Sequence, residues 1–235
     1  MSIPPAPALS TEPHSSLLRL LQLASPTLPV GAYTYSEGLE TQVDVGTMQD
    51  ATALHHWLEQ ELRHGAIRLD AAAMVTAMRA MATADWEALH QRNAQLSALR
   101  ETSELREQSW QMGRSLLRLL QELEPALTSP LAACGENCNF AIAYGVAAQH
   151  WQIHEQAAVL GYLQSWVSNL VTAGVKLIPL GQTAGQKMLL ALSSELEATA
   201  AAALSQPLET LYTCSWGMAI ASMNHETLYT RLFRS

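Results

Sequence analysis

Residues 20–40 read LLQLASPTLPVGAYTYSEGLE, and the rest of the chain is read outward from them. The stretch begins as the apolar end of a helix carrying Leu17, Leu18, Leu20, Leu21 and Leu23. Pro26 and Pro29 then forbid helix and bias Ser25 and Leu28 toward extended backbone. Gly31 can take the left-handed conformation of a sharp turn. Thr34 and Glu37 stand in the S/T-x-x-E spacing of a capping box, which predicts a second helix starting there. The connector itself carries Leu28, Val30, Tyr33 and Tyr35. An apolar, aromatic loop packs either against its own body or against a partner.

The helical period continues downstream. Asp50 is placed to cap a helix with Leu54, Trp57, Leu58, Glu61 and Leu62 on one face, ended by Gly65. Residues 67–84 are apolar nearly all round, as in a central helix. Asp85 caps a further helix to about Leu99. Residues 103–123 have the clearest stripe, with Leu105, Ser109, Met112, Leu116 and Leu123 on one side and Arg114, Arg118 and Gln121 opposite. Pro125 and Pro130 mark a loop that runs to Asn139, and Asn139 can cap a helix through His150. Residues 155–173 form a long apolar helix interrupted by Gly174 and Pro179. Helices over 181–203 and 215–232 complete the chain. Sustained period-two alternation is missing. The expected fold is therefore all-α, a single-domain bundle of roughly eight to ten helices over residues 15–235. Residues 1–14, with Pro4, Pro5, Pro7 and Pro13, read as a disordered tail.

At 235 residues the chain can bury a sizeable core. Its residues are 49% apolar and only 14% charged, which points to burial beyond one monomer's core. A formal net charge of −8 argues against nucleic acid or an anionic membrane as the main partner. No run has the length and composition of a membrane span, and no signal peptide opens the sequence. Three cysteines make no disulfide framework, so a cytoplasmic location is expected.

Four residues have near-zinc-finger spacing: Cys134, Cys138, His150 and His154 read C-x3-C-x11-H-x3-H. Against a metal site, residues 139–150 read as one helix with no hairpin between the pairs. The alternatives are a metal-binding module, storing nickel or stabilised by zinc, or two thiols and two surface histidines. Residues 181–188, GQTAGQKM, miss the phosphate-loop pattern at Gly185, Gln186 and Met188. His225-Glu226 lacks the second histidine of a metalloprotease, with Tyr229 in its place. No catalytic set can be named, and no cofactor is called for. Lys176 stands alone in an apolar run, either snorkelling to water or presenting charge to a partner. The last residues carry Leu228, Tyr229, Leu232 and Phe233 beside Arg231 and Arg234, the composition of an interface anchor rather than a frayed end; the alternative is a terminal helix folded back on its own body.

The opening stretch resembles the N-terminal motif of the UreF family of urease accessory proteins. Residues 101–106 (ETSELR), 174–186 (GVKLIPLGQTAGQ) and 225–235 (HETLYTRLFRS) are similar to that family too. Leu228 and Ala32 depart from it, where a polar residue and often a glycine are usual. The resemblance implies a homodimeric scaffold without enzymatic activity. It would join UreD (UreH in some organisms) to the GTPase UreG and promote GTP-dependent nickel insertion into apo-urease. It also implies partner-binding roles for Tyr33, Tyr35, Glu37, Lys176, His225, Glu226, Leu228, Tyr229, Arg231, Leu232, Phe233 and Arg234, and supplies no metal site.

Overall fold

Twelve α-helices and three short 3-10 turns build the computed structural model, which describes residues 12–235. No strand occurs among the described residues. The helices are α1 (Glu12–Leu23), α2 (Leu39–Asp44), α3 (Ala51–His64), α4 (Ile67–Ala82), α5 (Trp86–Ala98) and α6 (Ser103–Leu123). They continue as α7 (Thr128–Cys134), α8 (Phe140–His150), α9 (Glu155–Leu177), α10 (Gln182–Ala191), α11 (Ser193–Ser205) and α12 (Trp216–His225). The all-α class holds, but the count exceeds the expected eight to ten. Pro130 sits within the first turn of α7, where a missing N–H costs nothing, so the proline-marked loop contains a helix. A 45° bend at Leu192 divides the 181–203 helix into α10 and α11. The tail expected over residues 1–14 lies outside the described residues as far as 11; α1 begins at Glu12.

Helices α4 and α8 form the centre. Every residue from Phe140 to Ala148 is buried, which requires neighbours on all sides of α8. Small side chains let the two helices touch: a Cβ on Gly145 would lie 2.6 Å from the Met74 carbonyl oxygen. On the other side α6 packs with Gly113 against the backbone at Cys138. One continuous apolar core runs through α3, α4, α6, α8 and α9. Phe140, Tyr144 and Tyr162 make an aromatic triangle inside it, with centroids 5.2–5.9 Å apart.

Caps follow the sequence where the side chain is free to turn back. Asp50 accepts from the Ala53 amide at 2.9 Å, and Asp85 from the Ala88 amide at 3.0 Å. Asn139 precedes α8 but does not cap it. Its amide donates to Asn93 Oδ1 at 2.8 Å and Ser97 Oγ at 2.7 Å, a tertiary network that outbids the local bond. Thr34 and Glu37 make no capping box either. The Thr34 hydroxyl donates to the Gly31 carbonyl, Glu37 has a positive φ of 53°, and α2 starts only at Leu39. Gly174 does not end its helix. The space of its missing side chain is filled by Leu54, and α9 runs on to Leu177, where Pro179 forces Ile178 extended. The last helix stops at His225, not Leu232, for a reason that belongs to the site.

Candidate partner-docking site

Residues 33–40, the start of α6, the end of α12 and the last ten residues converge on one face. Glu40, in the first turn of α2, organises it. Its carboxylate accepts from the Leu232 amide at 2.6 Å and the Phe233 amide at 3.0 Å, and its Oε2 lies 3.2 Å from His225 Nε2. The other ring nitrogen of His225 is 3.0 Å from Glu104, and Arg231 reaches the same carboxylate at 3.7 Å. His225 is fully buried. Drawing two amides onto Glu40 requires residues 226–235 to leave the helical path, which is why α12 ends at His225.

The chain end is fixed again a few residues on. The Ser235 carbonyl oxygen accepts from the Ser36 amide at 2.6 Å and the Glu37 amide at 3.1 Å. The Arg234 amide donates to the Thr34 carbonyl at 2.8 Å, and the Ser235 hydroxyl to Gln108 Oε1 at 2.6 Å. Gln108 passes the connection inward by donating to Glu37 at 2.8 Å, and Trp166 donates to the same carboxylate at 2.9 Å. Burial pushes the Glu37 carboxyl above its usual range, and these two N–H groups oppose it. Burial likewise raises the Tyr35 phenol, opposed by the Arg234 guanidinium beside it. Gly38 is required where it stands: its φ is 82°, and a Cβ there would press on Ala221 and the Ser222 amide at 3.0 Å. Thr102 caps α6 through the Leu105 amide and shares a 2.8 Å hydrogen bond with Ser222, while Ser103 donates to Glu226 at 2.7 Å.

The residues singled out in the sequence divide into two sets. Tyr35, His225 and Phe233 are buried and, with the half-buried Glu37, hold the segment in shape; Leu228 is half-buried too. Tyr33, Glu226, Tyr229, Arg231, Leu232 and Arg234 face solvent, with Tyr229 wholly exposed. Lys176, in the last turn of α9, is exposed too, and its ammonium sits 5.6 Å from the Phe233 ring centroid. Beside them lies a surface the sequence reading passed over. Trp216, Ile220 and Met223 recur at helical spacing on α12, each at least half exposed, and Tyr212 stands next to them in sequence at 85% exposure. The spacing was visible in the sequence, but an apolar stripe reads as core until the body it would pack on is known. Glu40, Glu104 and Gln108 were also passed over as organisers, since a lone acid or amide at a helix start reads as a solvated cap.

The four possible metal ligands are not brought together. The eleven residues of α8 separate the cysteines from the histidines by ~16 Å along the helix axis. Cys134 and Cys138 are buried, His150 pairs with Glu124 at 3.2 Å, and His154 accepts from the Gln156 amide at the start of α9. Among the described residues no three His, Cys, Asp or Glu side chains are grouped to hold an ion. At the start of α10, Gly185 serves close packing against Val171 and Val175 on α9.

Comparison with known proteins places these motifs in a family. The family model described as UreF matches residues 48–193. The curated urease accessory protein UreF of Nostoc sp. is 56% identical over 218 residues, covering 93% of this chain and 95% of the relative. That of Microcystis aeruginosa is 53% identical over 94% of this chain and 99% of the relative. That of Azoarcus sp. is 42% identical over 97% of this chain and 100% of the relative.

Proposed function

Since the chain belongs to the UreF family of urease accessory proteins, we propose that it acts as a non-enzymatic scaffold in the cytoplasm. In this reading it joins UreD to the GTPase UreG and so promotes GTP-dependent nickel insertion into apo-urease. The observation that carries the reading is the pinned chain end. Residues 231–235 are fixed by seven backbone and side-chain hydrogen bonds to residues 34–40 and Gln108, yet Tyr229, Leu232, Arg231 and Arg234 are left outward. Ordering large apolar side chains such as Tyr229 and Leu232 in water costs entropy that burial inside the monomer does not offset. Beside the apolar face of α12 they have the aromatic and arginine composition of an interface centre.

UreD docks on this face. Lys176, stacked on Phe233, holds the same segment from below, and its free charge is offered to UreG. Leu17, Leu18 and Leu21 leave an apolar stripe exposed on α1, which supports a homodimer. Among the described residues no single helix is long and apolar enough to cross a membrane; α10 and α11 reach that length only together, bent by 45°.

Co-purification with the accessory proteins, with mass by light scattering, tests the proposal. The expected result is two copies of this chain with UreD, able to recruit UreG. A chain lacking residues 229–235 should keep its helicity and lose UreD. A truncated chain that still captures UreD refutes the assignment of this face.

A further inference from the structure

A cavity of about 520 Å³ lies between the 23–33 connector, α9 and the start of α10, within the size range of small-molecule sites. Its inner wall holds an ion pair that is closed on one side only. Arg100 donates Nη2 to Asp70 Oδ1 at 2.7 Å and to Ser109 Oγ at 3.1 Å, and these are its only hydrogen bonds among the described residues. A guanidinium has five donors; Arg100 Nη1 makes no hydrogen bond among the described residues and is the group open to the cavity, while Nε is sealed away without a partner there. On the other ion, Asp70 Oδ2 accepts, among the described residues, only from the Tyr162 hydroxyl, at a long 3.3 Å. The two side chains are 9% and 10% exposed. Buried ion pairs are ordinarily bidentate or fully bonded, because each open edge in a desolvated site costs free energy.

We propose that this cavity binds a small primary amide or urea, its carbonyl oxygen accepting from Arg100 and its N–H donating to Asp70. The charges favour a neutral molecule with both functions. An anion would meet Asp70 and Glu37 on the same wall, and a cation would meet Arg100. Phe140, Tyr162 and Trp166 also line the space and offer ring faces to a planar group. Among the lining residues Gln182 and Gln186 on α10 are exposed, so they stand at a mouth of the cavity, and neither is charged.

Ligand-observed NMR on the whole protein tests the proposal with four probes at millimolar concentration. Acetamide and urea carry both functions. N,N-dimethylacetamide keeps the acceptor and loses the donors, and methylammonium does the reverse. Saturable binding of the first two, at least tenfold tighter than the others, is expected. Tyr162→Phe preserves the fold and should keep that order of preference. Gln186→Trp fills the exposed mouth and should abolish binding with an unchanged melting temperature. Acetamide that still binds when UreD and UreG are added marks a diffusible ligand. Acetamide displaced on assembly marks an asparagine or glutamine side chain of a partner as the occupant. Equal response to all four probes, no response to any, or unaltered binding in Gln186→Trp overturns the site.

Discussion

The α4–α8 centre and the pinned chain end are both buried, yet they are held by opposite means. At the centre, alanines and one glycine let two helices approach until backbone meets side chain, and nearly every contact is apolar. At the chain end, backbone amides sit on carboxylates, and a buried histidine lies between two acids. Close packing depends on shape and is indifferent to pH and salt. The held segment depends on a few hydrogen bonds to single side chains, so removing one acceptor should release it while the core stays packed. The molecule thus keeps a rigid body and a separately breakable surface.

Breaking the centre should have the largest effect. Gly145→Val places a branched side chain where even a Cβ lies 2.6 Å from the Met74 carbonyl oxygen. A loss of ~3 kcal/mol or more is expected, seen as a large fall in melting temperature by circular dichroism or as insolubility. Glu40→Ala should come next. It leaves the Leu232 and Phe233 amides and His225 without their acceptor, at ~2–4 kcal/mol of local stability. Amide exchange at those two residues should accelerate and UreD capture should fail, while exchange in α8 stays slow. If α8 exchange accelerates equally, the two regions are one cooperative unit and the contrast is wrong.

pH sharpens the contrast. Glu61 on α3 is buried, accepts from the Ser215 hydroxyl at 2.7 Å at the start of α12, and has its pKa raised to about 7 by desolvation. An acid whose folded pKa lies above its unfolded value favours the folded state when protonated. Its contribution is complete below about pH 4.5 and is lost as pH rises through 7. Relative to Glu61→Gln, the native protein should therefore lose ~1–3 kcal/mol between pH 5 and pH 8, measured by urea titration. The smallest expected effect is that of Lys176→Ala. Removing the ammonium from the Phe233 ring should cost about 0.5–1 kcal/mol at this exposed position and leave the core melting unchanged. Weaker UreG recruitment would separate a docking charge from a stacking one.

Much of the rigid body was legible in the sequence. Asp50 and Asp85 cap where their spacing says, because nothing tertiary competes for them. Asn139 and Glu37 fail as caps because distant partners claim their side chains, Asn93 and Ser97 in one case and Gln108 and Trp166 in the other, while the Thr34 hydroxyl turns back to the Gly31 carbonyl three residues earlier. Gly174 misled for the same reason, since a glycine that admits Leu54 looks in sequence like one that ends a helix. For the docking face, the residue types were readable but their assignment to inside or outside was not. Phe233 and Leu232 are neighbours of similar character, and only the bonds to Glu40 turn one inward and the other out.

The pinning bonds join residues 192 and 193 positions apart. Contacts of such separation come late for a growing chain, because residues 232 and 233 leave the ribosome long after Glu40. The helical core can be complete while Glu40 still waits for its amides. A half-made or clipped molecule would then have the body without the surface, and could not enlist partners before synthesis had passed Phe233. Building one surface from residues 34–40 and 231–235 makes its formation wait until both segments have been synthesised.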